Sequence, residues 1–238
     1  MRSKPAPSAG AKAGTPRQAT QIWAFVNGKG GVGKTTTVLN FSIEGHRRGL
    51  YAAVLDLDGQ KSAERWAELR AELTGEQEPV IVHGASTKLK DMLDTVVDEG
   101  ADLVLIDTPG SVDRTMLYAA EISDIVILPT RSSVLDQAAL ADTLDFLGVG
   151  GKLGKCIVLL NATGKGQEED ISRIREIAKS FGVPVAAATL ADLPVFRTSL
   201  AKGRGVVEAK GKAMRIVEAA FEEIQAHRAH IMKSKSSR

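Results

Sequence analysis

Seven short, almost wholly apolar runs recur along the chain: IWAFV (22–26), AAVLDLD (52–58), VIVHG (80–84), DLVLID (102–107), DIVILP (124–129), KCIVLLN (155–161) and PVAAATL (184–190). Each has the length of a strand and lacks the polar alternation of a half-exposed one, so each reads as a strand covered on both faces. Amphipathic stretches separate them, at 62–73, 87–97, 135–147 and 168–181, and the chain closes with helical patterns at 194–201 and 206–226. Repeated alternation of buried strand and helix allows few arrangements. It predicts an α/β fold, a doubly wound and mostly parallel sheet with helices on both faces.

Composition narrows the class. At 238 residues and 43% hydrophobic content the chain suits one domain with an ordinary core, and 4% aromatics make that core aliphatic. No apolar run approaches the roughly 20 residues that span a membrane. The N-terminal bases are not followed by the apolar segment of a secretory signal, so a cytoplasmic location is expected. The single cysteine, Cys156, excludes an internal disulfide and a multi-cysteine metal site. Residues 1–20 are rich in Pro, Ala, Gly and Ser and carry Arg2, Lys4, Lys12 and Arg17 without an acid. They read as a disordered basic tail. Residues 227–238 carry Arg228, Lys233, Lys235 and Arg238, again without an acid, and read as a second basic tail. The domain between them, 21–226, holds 23 bases against 29 acids, so basic arms flank an acidic body.

The first strand runs into GKGGVGKT, residues 28–35, which fits G-x-x-x-x-G-K-[ST] in full and precedes a helical stretch. Glycines here let backbone N–H groups face a polyphosphate, and the helix presents its positive end to the same charge. Lys34 is expected to neutralise the β- and γ-phosphates and the Thr35 hydroxyl to ligate Mg²⁺. DLVLIDTPG ends a later strand in Asp107, the position of a carboxylate that holds Mg²⁺ through water, and the TPG that follows can respond to a terminal phosphate. In LDLDGQ, Asp56 and Asp58 stand two residues apart, which on an extended chain puts both on one face. Asp56 is expected near the metal and Asp58 near the attacking water. Nucleotide contacts are expected from Gly28, Lys29, Gly30, Gly31, Val32, Gly33, Lys34, Thr35, Thr36 and Asp107.

A loop of this kind needs one lysine, yet Lys29 precedes Lys34 by five positions. KGGVGKTT with this early lysine, DLDGQ and LVLIDTPG together resemble the deviant Walker A ATPases of the ParA/MinD class, over residues 22–225. Among these the sequence is most similar to the small ParA-type partition ATPases that have no helix-turn-helix domain. The resemblance implies a P-loop NTPase fold, ATP and Mg²⁺ as cofactors, and weak ATP hydrolysis stimulated by a partner. It implies that Lys29 reaches the phosphates of nucleotide held by a second copy of the chain, so that the homodimer depends on ATP. Asp58 takes the place of the aspartate that positions water, and Asn161 that of an adenine-contacting residue. Gly59 stands where the family usually has proline, and Leu193 where the nearest subgroup often has arginine.

Arg197, Lys202, Arg204, Lys210, Lys212 and Arg215 form a cluster with one acid, Glu208. A basic cluster on an acidic body suits non-specific DNA, and a dimer doubles the contacts. With the resemblance, this implies a positioning or partition ATPase that associates with the nucleoid when ATP-bound and works with a ParB-like or cargo-adaptor protein. A MinD-like membrane-surface ATPase is the alternative. It needs a terminal helix with a strong apolar face, and the last 17 residues offer Ile224, Ile231 and Met232. A metabolic P-loop ligase would share the loop but needs a substrate-carboxylate site for which no residues stand out.

Overall fold

The computed structural model describes residues 19–236. Seven strands form one sheet in the order β3-β2-β4-β1-β5-β6-β7, every pairing parallel. They are β1 Gln21–Phe25, β2 Ala52–Asp56, β3 Val80–His83, β4 Leu103–Asp107, β5 Ile125–Thr130, β6 Cys156–Thr163 and β7 Leu190–Ala191. The helices are α1 Lys34–Arg47, α2 Ser62–Thr74, α3 Leu89–Asp98, α4 Arg114–Ile122, α5 Val134–Val149, α6 Glu168–Ser180, α7 Pro194–Leu200 and α8 Lys212–Ser236. This is the doubly wound parallel sheet that the strand–helix alternation predicts.

Alternation along a strand divides the core in two. Trp23 and Phe25 of β1 enter one apolar layer with Phe41, Leu105 and Phe221, while Ala24 and Val26 enter the opposite layer with Leu55, Ile106 and Leu128. Both faces are covered, which is why the runs lack polar alternation. The first layer is built around Phe221 of α8, whose ring centroid lies 4.9 Å from Trp23 and 5.6 Å from Phe41.

Three elements depart from the sequence pattern. Run 184–190 makes a single bridge, Val185 to Val158, and a two-residue strand, Leu190–Ala191. Between these, the backbone N–H groups of Ala187 and Ala188 donate to the Glu223 carboxylate of α8 at 2.7 and 2.8 Å, so a helix side chain replaces the ladder. The helix expected over 206–226 starts at Lys212, after a turn at Val206–Glu208 and Gly211 with φ of +149°. It also runs on past residue 226 to Ser236, through the stretch expected as a basic tail. Ile231 is buried there, and Arg228 pairs with Asp124 at 2.8 Å. Of the expected N-terminal tail only residues 19 and 20 are described; the Thr20 hydroxyl donates to the Ala101 carbonyl at 2.8 Å. Cys156 is buried, and burial pushes its thiol up to about 12.

If the end of α8 belongs to the fold, Ile231→Ala leaves a cavity and is expected to lower stability by about 2–4 kcal/mol in urea titration. A change within about 0.5 kcal/mol would make this segment a solvated arm.

Candidate nucleotide site

The site lies at the carboxyl ends of β1, β2 and β4, where the chain turns from β1 into α1. The order of the strands reverses direction beside β1, the place where open α/β sheets bind ligands. Gly31 and Gly33 adopt φ of +75° and +96°, which bends the backbone around a cradle, and a Cβ at Gly30 or Gly31 would meet nothing within 4 Å. Helix α1 has Gly33 at its N-cap, with no capping side chain and no acid in its first turn, so its leading N–H groups and positive end remain available to an anion.

Side chains from distant elements fix the loop. Asn27 at its base donates to the Pro129 carbonyl at 3.0 Å and accepts from the Lys29 amide at 2.9 Å. The Gly28 amide donates to the Thr143 hydroxyl at 3.0 Å. Val32 is buried, and its carbonyl accepts a 2.8 Å bond from the Asn161 side chain, so the residue expected at adenine braces the loop in this conformation. A Cβ at Gly33 would collide with that amide, at 1.8 Å. The Thr36 carbonyl accepts from Asn40, one turn along α1. The TPG turn after β4 presses against the loop: a Cβ at Gly110 would stand 2.6 Å from the Gly30 nitrogen.

Lys34 is buried, and its ammonium donates to the carbonyls of Asn27 and Lys29 at 3.2 and 3.0 Å. Burial lowers its pKa, against the charges of Asp107 and Asp58, which raise it. Lys29 is held elsewhere. Its ammonium sits 2.5 Å from Asp136 at the start of α5. Burial would raise the pKa of Asp136, but the bonds from Lys29 and Ser133 outweigh it and leave it below the usual carboxylate range. Ser133 and Asp136 form a capping box. The S-x-x-D spacing signals a helix start in the sequence, but nothing in it says that the carboxylate faces Lys29.

Of the residues expected around Mg²⁺, Thr35 and Asp107 meet: the hydroxyl donates to Asp107 Oδ2 at 2.6 Å. Asp107 Oδ1 is buried without any hydrogen-bond partner. An orphaned carboxylate oxygen beside a hydroxyl is a hard, oxygen-only donor pair, and it fits Mg²⁺ that also carries phosphate and water ligands. Asp56 is Asp107's neighbour in register on β2 but uses its oxygens on backbone, accepting from the Asp58 amide at 3.0 Å and from Ala63 and Glu64 at 3.2 and 3.3 Å. Of the two aspartates expected to end the strand only Asp56 lies in it, and the charges of both bear on Asp107. Strand β2 ends at Asp56, and Asp58 sits in a turn with its Oδ1 accepting from the Gln60 amide at 2.9 Å.

The six expected DNA contacts, Arg197, Lys202, Arg204, Lys210, Lys212 and Arg215, are all exposed, along α7, the following turns and the start of α8. Glu208, the acid among them, faces inward and is largely covered.

Residues 23–214 match the family described as the CobQ/CobB/MinD/ParA nucleotide binding domain. The chain belongs to that family. Among its relatives is the maintenance of carboxysome distribution protein A of Gloeobacter kilaueensis, 28% identical over 207 residues, covering 86% of this chain and 92% of that one. Solved structures with the same fold include the MinD cell division protein of Aquifex aeolicus, with TM-score 0.69, 16% identity and coverage of 87% and 98%. Another is the septum site-determining protein MinD of Pyrococcus horikoshii complexed with Mg-ADP, with TM-score 0.68, 23% identity and coverage of 87% and 96%.

Burial pushes the Asp107 carboxyl up to about 7; the charges of Asp56 and Asp58 add to the rise, and the Thr35 bond and Lys34 oppose it. A raised carboxyl binds its proton more tightly in the folded state. Its contribution is therefore present below pH 4 and lost as pH rises towards 7, by at most about 4 kcal/mol. Asp107→Asn is expected to stabilise the nucleotide-free protein at pH 8 but not near pH 4, in urea titrations at each pH. The same variant is expected to lose stabilisation by Mg–ATP. Equal effects at both pH values would show that the buried carboxylate ionises without cost.

Proposed function

We propose that this chain is an ATP-hydrolysing positioning or partition protein that dimerises on ATP and binds DNA without sequence preference as that dimer. The observation that carries the reading is the pairing of a complete phosphate loop with a second lysine whose ammonium turns away from it to Asp136. Lys34, held against two backbone carbonyls, is read as the in-cis phosphate lysine. The Lys29 side chain is a third exposed and, among the described residues, is held by Asp136, so it can exchange one anionic partner for another. Two triphosphates brought face to face repel each other, and a lysine from each copy offsets that charge. The segments around Lys29 also expose Val112, Val134 and Leu135, the kind of apolar side chains that a second copy would cover.

In hydrolysis the chain's own residues supply position and charge. The loop N–H groups and Lys34 stabilise charge on the phosphates, Thr35 and Asp107 would hold Mg²⁺, and Asp58 leaves its turn to orient water. Magnesium, when bound, would neutralise charge on the phosphates. Support for DNA comes from six exposed bases among which Glu208 is turned inward, although Arg197 also pairs with the exposed Asp192 at 3.5 Å. Among the described residues no helix is long and apolar enough to cross a membrane. The apolar residues expected for a membrane-surface helix are largely spent in the core, Ile224 and Ile231 being buried. A ParB-like or cargo-adaptor partner that stimulates hydrolysis, and association with the nucleoid in the ATP state, complete the proposal.

The test is DNA retention measured against salt with ATP, ADP and no nucleotide. Retention only with ATP, falling steeply with salt, is expected. Lys29→Ala should remove both ATP-dependent dimerisation and retention; a variant that still dimerises on ATP would end the in-trans role. Replacing Lys202, Arg204 and Lys210 together by Glu should weaken retention at least about tenfold while nucleotide affinity holds. Undiminished retention would move the DNA surface elsewhere.

A further inference from the structure

Arg70, near the end of α2, is 2% exposed, yet its guanidinium reaches the basic segment. Nη1 donates to the Gly203 carbonyl at 2.8 Å. Nη1 and Nη2 grip the two oxygens of Glu208 at 2.9 Å each. Nε donates to the Glu78 carbonyl at 2.7 Å, and Nη2 also meets Glu76. One turn earlier Trp66 donates its indole N–H to the Leu200 carbonyl at 3.1 Å, with its ring 5.5 Å from the Arg70 guanidinium. Gly203, at φ of +67°, lies so close to α2 that a Cβ would stand 2.7 Å from the Arg70 Cα. On its other side the segment docks on α1: the Val206 amide donates to Asn40 at 2.9 Å, and a Cβ at Gly205 would stand 2.5 Å from Ile43.

Lys202 and Arg204 are therefore carried on a strap clamped by two helices, and both helices begin at the nucleotide site. α1 starts at Lys34. α2 starts just after the Asp58 turn, with its first amides held by Asp56. A single turn of helix separates Trp66 from Arg70, so the two move with α2 as one body. Arg70 also turns inward the one acid among the bases.

We propose that Arg70, with Trp66, is a positioning residue that couples the Asp56–Asp58 loop to the basic strap. Nucleotide with Mg²⁺ draws on Asp56 and Asp58, their hold on the start of α2 changes, and the clamp resets Lys202 and Arg204. The coupling rests on the reading of the strap as the DNA surface, but the clamp can be observed without DNA.

Protein labelled with 5-fluorotryptophan carries two fluorine reporters, at Trp23 and Trp66, and Trp66→Phe assigns them. Saturating Mg–AMPPNP, with occupancy checked by equilibrium dialysis, is expected to shift the Trp66 resonance. An unmoved resonance at full occupancy overturns the coupling. Glu208→Gln and Arg70→Lys keep hydrogen bonding while weakening the grip. Each should reduce the ratio of DNA affinities with ATP and ADP at least about fivefold, with nucleotide affinity unchanged. A ratio untouched by both variants overturns the coupling as well. A shifted Trp66 resonance in a protein that retains no DNA in any nucleotide state supports the clamp and refutes the DNA reading.

Discussion

Asp107 is the residue around which the site is organised. It ends a strand with neighbours on both sides, is fully buried, and has one oxygen on Thr35 and the other without a hydrogen-bond partner among the described residues. Burying a carboxylate in this way is expensive unless a cation or a proton joins it. The chain accepts that cost at the point where the loop, the TPG turn and the Asp56 strand converge. Glycines then bring the backbones of the loop and the turn into direct contact, and Lys34 is held against carbonyls instead of an acid, so its charge remains free for an anion.

The same economy shows in how the flanking helices are used. α1 and α2 each present an N-terminus to the site and pack a side against the strap at 200–208. Elements that would be simple cover in another sheet protein here join two surfaces. α8 closes the aromatic layer through Phe221 and supplies Glu223 to a stretch of backbone that has no strand partner. The C-terminal helix is therefore part of the support for both the sheet and its edge.

The fold was legible because buried parallel strands leave an unmistakable mark, runs such as LVLI and IVIL with no polar alternation. The loop was legible because glycine, lysine and threonine at fixed spacing have one well-defined use. What escaped the sequence were pairings across long separations. Asp136 lies 107 positions from Lys29, and Glu208 lies 138 from Arg70. Neither residue type nor spacing announces such contacts. Asp56 and Asp58 illustrate a different limit. Their spacing implies a strand running through both, but β2 ends at Asp56 and a turn opens at Asp58, while the charges of both bear on Asp107. The end of α8 shows a third limit: its charge pattern is that of a tail, yet the helix runs to Ser236 with Ile231 buried and Arg228 paired with Asp124.

The contact between Gly110 and Gly30 has a mechanical consequence. Two backbones meet with no side chain between them, so there is no rotamer to absorb a displacement. A shift of the loop therefore presses directly on the TPG turn, and two residues further on lies Val112, on the protein surface and against Gly28. Gly30, Gly110 and Val112 are all exposed, so the contact and its continuation lie together at the surface. A change smaller than a bond length inside the site has an outlet where another molecule could sense it.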